Sequence, residues 1–568
     1  MSYFKKLIYI LREIGQKNTL IISILIFLQS LFETFGIGAL YPIMSMMTNY
    51  DTFLTSKIYL IIDNNFFSLS SKTEFQVKII FILAALSFFS IKLIFSILVK
   101  IYFNVYIMQS KVLTSRYLLK YYFNKDFKYH LSTNSSKIIQ NVNDNASQLQ
   151  SAVGNLIYFF SDVLLIFLIT SIFMLYNFTY TIFSLFLAAI SLFILINLTK
   201  KRVKYWSQKR EEFIQNSLKH LYEMFTLIKE IYISRKLNFF IKKYSHNDYM
   251  AFRMDNWGSL IQILPRLFIE FIVLASFLLL LFFFMISDTN LVDHLPLMTI
   301  LVAGIIKVMP LFIRIMGCIN FFNFTTQPIN SIFDVFKLNQ EEYLENNDNN
   351  LIEFDNISLT NFNYKYNKEQ TKYVFYKDIN FNIKNNEIIG IIGSSGSGKS
   401  TLINNISSLL KDYNGDILVD DVSLKDLNNE WKKNIAYVSQ KIFLVDDTIK
   451  ENILFSSDFN EKLLSEVIIN SELESFIAKL EFGVETFIGE NGKNISGGQA
   501  QRIGLARALY QNKKILILDE ALSNIDKDTK IKIINNLKNT STKRTVIMIT
   551  HFEEDLEICD KILNLDNL

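Results

Sequence analysis

Cysteine is nearly absent: Cys318 and Cys559 are the only two in 568 residues. They form no metal-ligand spacing and no disulfide framework, which excludes a stapled secreted scaffold and a thiolate metal centre. Charge is sparse as well, at 20% of residues against 50% apolar, and the mean hydropathy of +0.23 departs from a soluble globular chain of this length. A removable leader is not expected: Lys5, Lys6, Arg12 and Lys17 precede an apolar stretch reaching about residue 47 without a small-residue cleavage motif. The expectation is a retained first membrane helix. Proline is missing from 107–149 and 200–258, so these long stretches are expected to be helical, since unstructured connections of that length are uncommon.

What is present divides the chain. Its length exceeds a single core and predicts at least two domains. Residues 1–340 carry 32 Lys and Arg against 18 Asp and Glu, while residues 341–568 carry 26 against 36. Apolar stretches long enough to span a bilayer lie near 18–46, 76–106, 150–175, 178–199, 259–286 and 296–320, and no charge falls between Asp162 and Lys200. Six helices are expected, with a tight turn at Asn177. Basic residues cluster before the first span, after the second (Lys111 to Lys128) and after the fourth (Lys200 to Arg210), which places those segments on the cytoplasmic side. The segments 47–75, 176–180 and 287–295 then face outward. Glu33, Lys92, Asp162, Arg266, Glu270, Lys307 and Arg314 fall inside the spans. A charge in lipid is expensive, so each is expected to pair, to line a cavity or to reach the interface. Arg266 and Glu270 are spaced to pair on one helix face, and Lys307, Arg314 and Arg266 together suggest a cavity that accepts an anion.

Past a polar, acidic linker at 341–350, β-branched runs alternate with helical stretches, as in an α/β domain. Gly393-Ser394-Ser395-Gly396-Ser397-Gly398-Lys399-Ser400-Thr401 follows the apolar run Ile388 to Ile392 and opens into Leu402-Ile403. This is the strand, glycine loop and helix of a phosphate-binding loop, in which backbone N–H groups wrap phosphate oxygens. Lys399 is expected on the β- and γ-phosphates and Ser400 on Mg²⁺. Farther on, Ile515 to Leu518 ends in Asp519-Glu520. Asp519 suits Mg²⁺, and Glu520 is placed to accept a proton from the attacking water.

Ile495-Ser496-Gly497-Gly498-Gln499-Ala500-Gln501-Arg502, followed by Ala506-Arg507-Ala508-Leu509, resembles the signature of the ABC transporter superfamily. By that resemblance Gln440 stands at the glutamine loop, His551 is the switch histidine, and Ser523-Asn524-Ile525-Asp526 is the D-loop. Tyr366 matches the aromatic that stacks on adenine, and Glu490 with Gly492 lies in the stretch that exporters use to touch coupling helices. The signature opens with Ile495 and carries Ala500, and the D-loop reads Asn524-Ile525, departures that remove no catalytic group. The resemblance implies a six-helix all-α transmembrane domain over 1–340 followed by an α/β P-loop nucleotide-binding domain over 341–568, in the bacterial exporter order.

It also implies a membrane-embedded homodimer with two composite ATP sites, located in the bacterial inner membrane with its nucleotide domain in the cytoplasm. Ser496, Gly497, Gly498 and Gln499 of one copy would close over ATP held by Lys399 and Thr401 of the other, with Asp526 alongside. Loop tips near 124–129 and 226–231 would dock on the nucleotide domains. Leu31 to Gly36, Pro42-Ile43, Lys307 to Pro310 and Arg314-Ile315 look like the lipid-linked oligosaccharide flippase of bacterial protein N-glycosylation. A lipid-linked glycan is therefore the expected cargo, with peptide, toxin or drug export as the alternative. No nucleic-acid partner is expected, because ABC-type ATPases of DNA repair and translation lack such spans.

Overall fold

The structure, a computed structural model, describes residues 2–14, 18–39, 43, 46–47, 50–54, 73–176, 178–286, 295–338, 351–365, 374–375, 377–489, 492–539 and 543–567, with most side chains in 172–200 and 262–309 outside the description. The expected turn at Asn177, the linker 341–350, most of the segments 47–75 and 287–295, Tyr366, Glu490 and the side chains of Arg266, Glu270 and Lys307 lie outside the described residues. The chain divides into two compact units, one of Met1–Lys125 with Thr133–Tyr343 and one of Asp126–Ser132 with Leu344–Leu568.

Among its described residues the first unit has helices and no strands. An amphipathic helix, Tyr3–Glu13, buries Leu7, Ile10 and Leu11 and is tied to the helix Thr326–Leu338 by Lys6 Nζ, which donates to Asn330 at 2.7 Å. The long helices are α1 (Thr19–Gly38), α2 (Glu74–Phe123), α3 (Ala146–Tyr176), α4 (Phe178–Thr226), α5 (Leu237–Ile286) and α6 (Leu295–Phe324). Stretches in α1, in α2 and in Ser135–Ser171 are long and apolar enough to cross a membrane among the described residues. The 50 residues of α2 extend about 75 Å at ~1.5 Å per residue, more than twice the hydrocarbon layer. A capping box between Thr73 and Gln76 starts this helix. A π-helical turn, Asn141–Asn145, leads into α3.

Lipid offers little hydrophobic drive between helices, so interhelical polar contacts gain importance. Lys92 on α2 meets Glu33 on α1 at 3.0 Å. Arg314 on α6 grips Asp162 on α3 through two N–H groups, with Asp162 fully buried. Four of the charges expected inside the spans are therefore interhelical partners, and the positive charge of Arg314 is neutralised.

The second unit holds two sheets. The antiparallel one runs β2-β1-β4-β5, with β1 Asn356–Tyr364, β2 Ile379–Lys384, β4 Tyr413–Val419 and β5 Val422–Ser423. The parallel one runs β6-β7-β8-β3-β9, with β3 Ile388–Ile392, β6 Ile435–Val438, β7 Ile515–Asp519, β8 Thr545–Ile549 and β9 Lys561–Asn564. β3, β7 and β8 are almost wholly buried runs of Ile, Leu, Val and Met, as a parallel sheet covered on both faces requires. The segment Asp126–Ser132 packs within this unit. Lys128 lies 3.1 Å from Asp412, Asp126 lies 3.6 Å from Lys411, and Phe127 rests on the core around Phe362 and Trp431.

Candidate functional site

In a parallel sheet every strand delivers its C-terminal end to the same edge, where ligands bind in open α/β folds. Register sets Ile391 of β3 and Asp519 of β7 on either side of Ile549 of β8. The glycine loop after β3, Asp519-Glu520 at the end of β7, His551 after β8 and Gln440 after β6 therefore share one edge.

The loop itself is shaped by backbone demands. Gly396 and Gly398 have φ of +88° and +97°, a region that favours glycine. A Cβ on Gly398 would fall 2.5 Å from the Phe375 ring. Gly398 caps α7 (Lys399–Ile406), which presents its first N–H groups and its positive dipole end to the loop. Lys399 is buried, and its Nζ donates to the carbonyls of Gly393 at 2.7 Å and Ser394 at 3.0 Å. Ser394 donates its backbone N–H and its hydroxyl to Asp566 at 2.8 to 2.9 Å. Those bonds hold the Asp566 carboxyl below the usual carboxylate range. Ser400 is exposed at the start of α7, and Thr401 behind it is buried.

Glu520 sits just past β7 at φ +51°, a conformation that strains a non-glycine residue. One carboxylate oxygen accepts from Gln440 Nε2 at 2.5 Å, and the other lies 3.0 Å from His551 Nε2. Glu520 thus joins Gln440 and His551, the other two residues expected to be catalytic. Asp519 accepts a hydrogen bond from the Tyr437 hydroxyl at 2.6 Å. Burial raises the Asp519 carboxyl above its ordinary value, and the Tyr437 bond and the Lys399 charge oppose that rise. Burial also raises the Tyr437 phenol, which the Asp519 carboxylate pushes in the same direction. The site's oxygen donors are the Asp519 carboxylate, the Ser400 hydroxyl and the Gln440 amide. These hard ligands fit Mg²⁺, which takes one or two carboxylates and leaves other positions to phosphate and water.

The signature opens α8 (Gly497–Tyr510), where Ser496 and Gln499 form a capping box. Ser496 and Gly497 are exposed. Gly498 is packed so closely that a Cβ would fall 2.8 Å from the Asn524 carbonyl. Gln501, buried, accepts from the Asn524 N–H at 2.9 Å and so locks the signature to the D-loop. Asp526 caps the helix Lys527–Asn539 through Thr529 N–H at 3.0 Å. The backbone and hydroxyl of Thr529 keep its carboxyl below the usual range. Gly492 is buried at φ +70°.

Sequence reasoning missed Tyr437, Gln501 and Asp566. Tyr437 carried a signal, since it is the large aromatic on the exposed face of β6 three residues before Gln440. Asp566 joins the loop from 172 residues away and had none.

Residues 376–523 match the family model described as ABC transporter. A putative export ATP-binding/permease protein of Rickettsia bellii is 36% identical over 232 residues, 40% of each chain. The ATP-dependent lipid A-core flippase of Pasteurella multocida is 38% identical over 34% of this chain and 33% of its own. The multidrug resistance-like ATP-binding protein of Buchnera aphidicola is 39% identical over 36% of this chain and 35% of its own. These matches span about two fifths or less of the relatives' length. A solved bacterial Atm1-family ABC exporter with ATP bound superposes with a TM-score of 0.79 at 17% identity, over 98% of this chain and 94% of that one. Residues 376–523 are thus similar to the ABC transporter family, and the chain shares its fold with an ABC exporter: a membrane-spanning all-α unit joined to a cytoplasmic α/β P-loop unit.

Proposed function

We propose that this chain is an ATP-driven exporter or flippase that hydrolyses ATP with Mg²⁺ and works as a homodimer. The carrying observation is the trio Glu520, Gln440 and His551, in contact at the sheet edge that also bears the glycine loop. When bound, Mg²⁺ supplies positive charge to the phosphates, held by Asp519, Ser400 and Gln440. The loop amides and Lys399 bind the phosphates, which requires Lys399 to leave the carbonyls of Gly393 and Ser394. Glu520 accepts a proton from the attacking water, and one of its two present donors must yield to admit that water. His551 then holds the other oxygen and faces the γ-phosphate.

The exposed Ser496 and Gly497 fit closure over ATP in a second copy. At the tip between α4 and α5, Phe225, Ile228, Tyr232 and Ile233 stand exposed in a manner suited to docking on a nucleotide domain. In this reading Tyr366 stacks on adenine. The six-span count and the boundary near residue 340 belong to it as well, with residues 1–340 as the transmembrane domain and 341–568 as the ATP-binding domain.

For the cargo, the relatives' names divide between lipid A-core flipping and multidrug resistance. With Arg314 committed to Asp162, the broader reading as an exporter of amphipathic or hydrophobic molecules, peptides and drugs included, has more support than a dedicated lipid-linked glycan site. Proteoliposomes supplied with polyprenyl-pyrophosphate oligosaccharide, a hydrophobic drug or a peptide separate the cargoes by ATP-dependent uptake or flipping. Glu520→Gln tests the engine. It is expected to bind ATP normally and to lose about a hundredfold or more of turnover, as removal of a general base does. Normal steady-state ATPase from that variant refutes the assignment.

A further inference from the structure

Just past the D-loop, the helix Lys527–Asn539 turns two lysines toward the segment that follows His551. Lys530 Nζ lies 2.6 Å from Asp555, and both residues are buried, at 8% and 4% exposure. Lys527 Nζ lies 2.8 Å from Glu554 on the surface. Asp555 also accepts from the Thr550 hydroxyl, and that hydroxyl accepts from Phe552 N–H at 3.1 Å. The residue before His551 is thus bound to the Asp555 carboxylate directly, and the residue after it is tied to that carboxylate through the Thr550 hydroxyl. The Phe552 ring lies 4.4 Å from Lys530 Nζ, a cation–π contact. A single small cavity is walled by Glu520 and His551 as well as by Lys530 and Asp555.

A buried ion pair seldom stabilises more than a well-packed apolar pair of similar volume, and its best-supported role is to fix registry. Here the registry concerns a histidine 3.0 Å from the hydrolytic carboxylate. The other end of the chain of contacts is the signature. Gly498 abuts the Asn524 carbonyl, Gln501 holds Asn524 N–H, and Lys530 N–H donates to the Asp526 carbonyl at 3.0 Å.

We propose that Lys530 and Asp555 are positioning residues that couple the signature and D-loop to His551. Engagement of a copy's signature by the opposite nucleotide is thereby relayed to the histidine of its own site. The proposal rests on reading Glu520 and His551 as the hydrolytic pair.

The test uses the full chain in lipid nanodiscs, with kcat, KM for ATP and thermal midpoint measured together. Asp555→Glu keeps the charge but lengthens the reach. It is expected to lower kcat by about tenfold to a hundredfold, the upper figure being what a misplacement of around 1 Å can cost, with KM within about twofold and the midpoint little changed. Lys530→Met and Asp555→Asn are expected to lower both kcat and midpoint. The double variant Lys530→Met with Asp555→Leu is expected to recover the midpoint and not kcat. Wild-type kcat in Asp555→Glu, or recovery of kcat together with the midpoint in the double variant, overturns the proposal. Glu520→Gln run in parallel separates the two claims. If it still turns over, the hydrolytic assignment fails; if it is inactive while the Asp555 and Lys530 variants run normally, only the coupling fails.

Discussion

The two units put their charges to opposite uses. In the membrane unit, Glu33, Lys92, Asp162 and Arg314 join helices that lipid alone would not hold together. In the nucleotide unit, buried apolar strands supply the cohesion, and Lys399, Asp519, Glu520 and His551 gather where the strands end, which in the proposed function leaves them for chemistry. A charge therefore reads as structural where the surroundings are apolar and the core is weak, and as functional where the core is already secure.

That contrast can be broken in several ways. Gly398→Ala strikes the nucleotide unit hardest. Its Cβ meets the Phe375 ring at 2.5 Å in a left-handed backbone, so ATP binding is expected to fall by more than about tenfold in equilibrium dialysis, while thermal unfolding of the membrane unit is unmoved. Asp162→Ala is the matching blow to the membrane unit. Removing the partner of Arg314 is expected to destabilise the helix bundle, read as a drop in midpoint. Replacing both partners with Leu and Met is expected to recover it. Transport lost in that recovered double variant would show that the pair also serves the cargo.

Tyr437→Phe sharpens the contrast, because it alters chemistry without touching a core. The Tyr437 bond works against the rise in the Asp519 carboxyl. Removing it raises that group further, so the ionised form needed for Mg²⁺ disappears at a higher pH. The acid limb of the ATPase profile is expected to move toward neutral pH, with a several-fold higher Mg²⁺ requirement there. An unmoved acid limb would show that Tyr437 is only structural. Lys128→Ala is the smallest change. Its exposed pair with Asp412 contributes less than about 1 kcal/mol, so a midpoint shift of more than a few degrees would give Asp126–Ser132 a larger structural share.

Legibility in the sequence followed the range of the interactions. The glycine loop was readable because its φ angles and its strand-to-helix setting are local demands on residue type. The helical character of 107–149 and 200–258 was readable from missing proline, though the breaks after Phe123, Thr226 and Ser234 were not. The partner of each intramembrane charge was not, since Glu33 and Lys92 are 59 residues apart and Asp162 and Arg314 152 apart, and no local rule selects among candidates. Tyr437 likewise became meaningful only once β6 and β7 were set side by side. The π turn at Asn141–Asn145 left no pattern distinct from an ordinary helix.

The backbone of Glu520 has a consequence for anyone who engineers this protein. Its left-handed φ of +51° is one that glycine or asparagine adopts more easily, so selection for heat resistance alone would favour replacing the residue proposed as the general base. A thermostable variant recovered without an activity screen is expected to carry that substitution and to be inert. Durability and function are opposed at this single position.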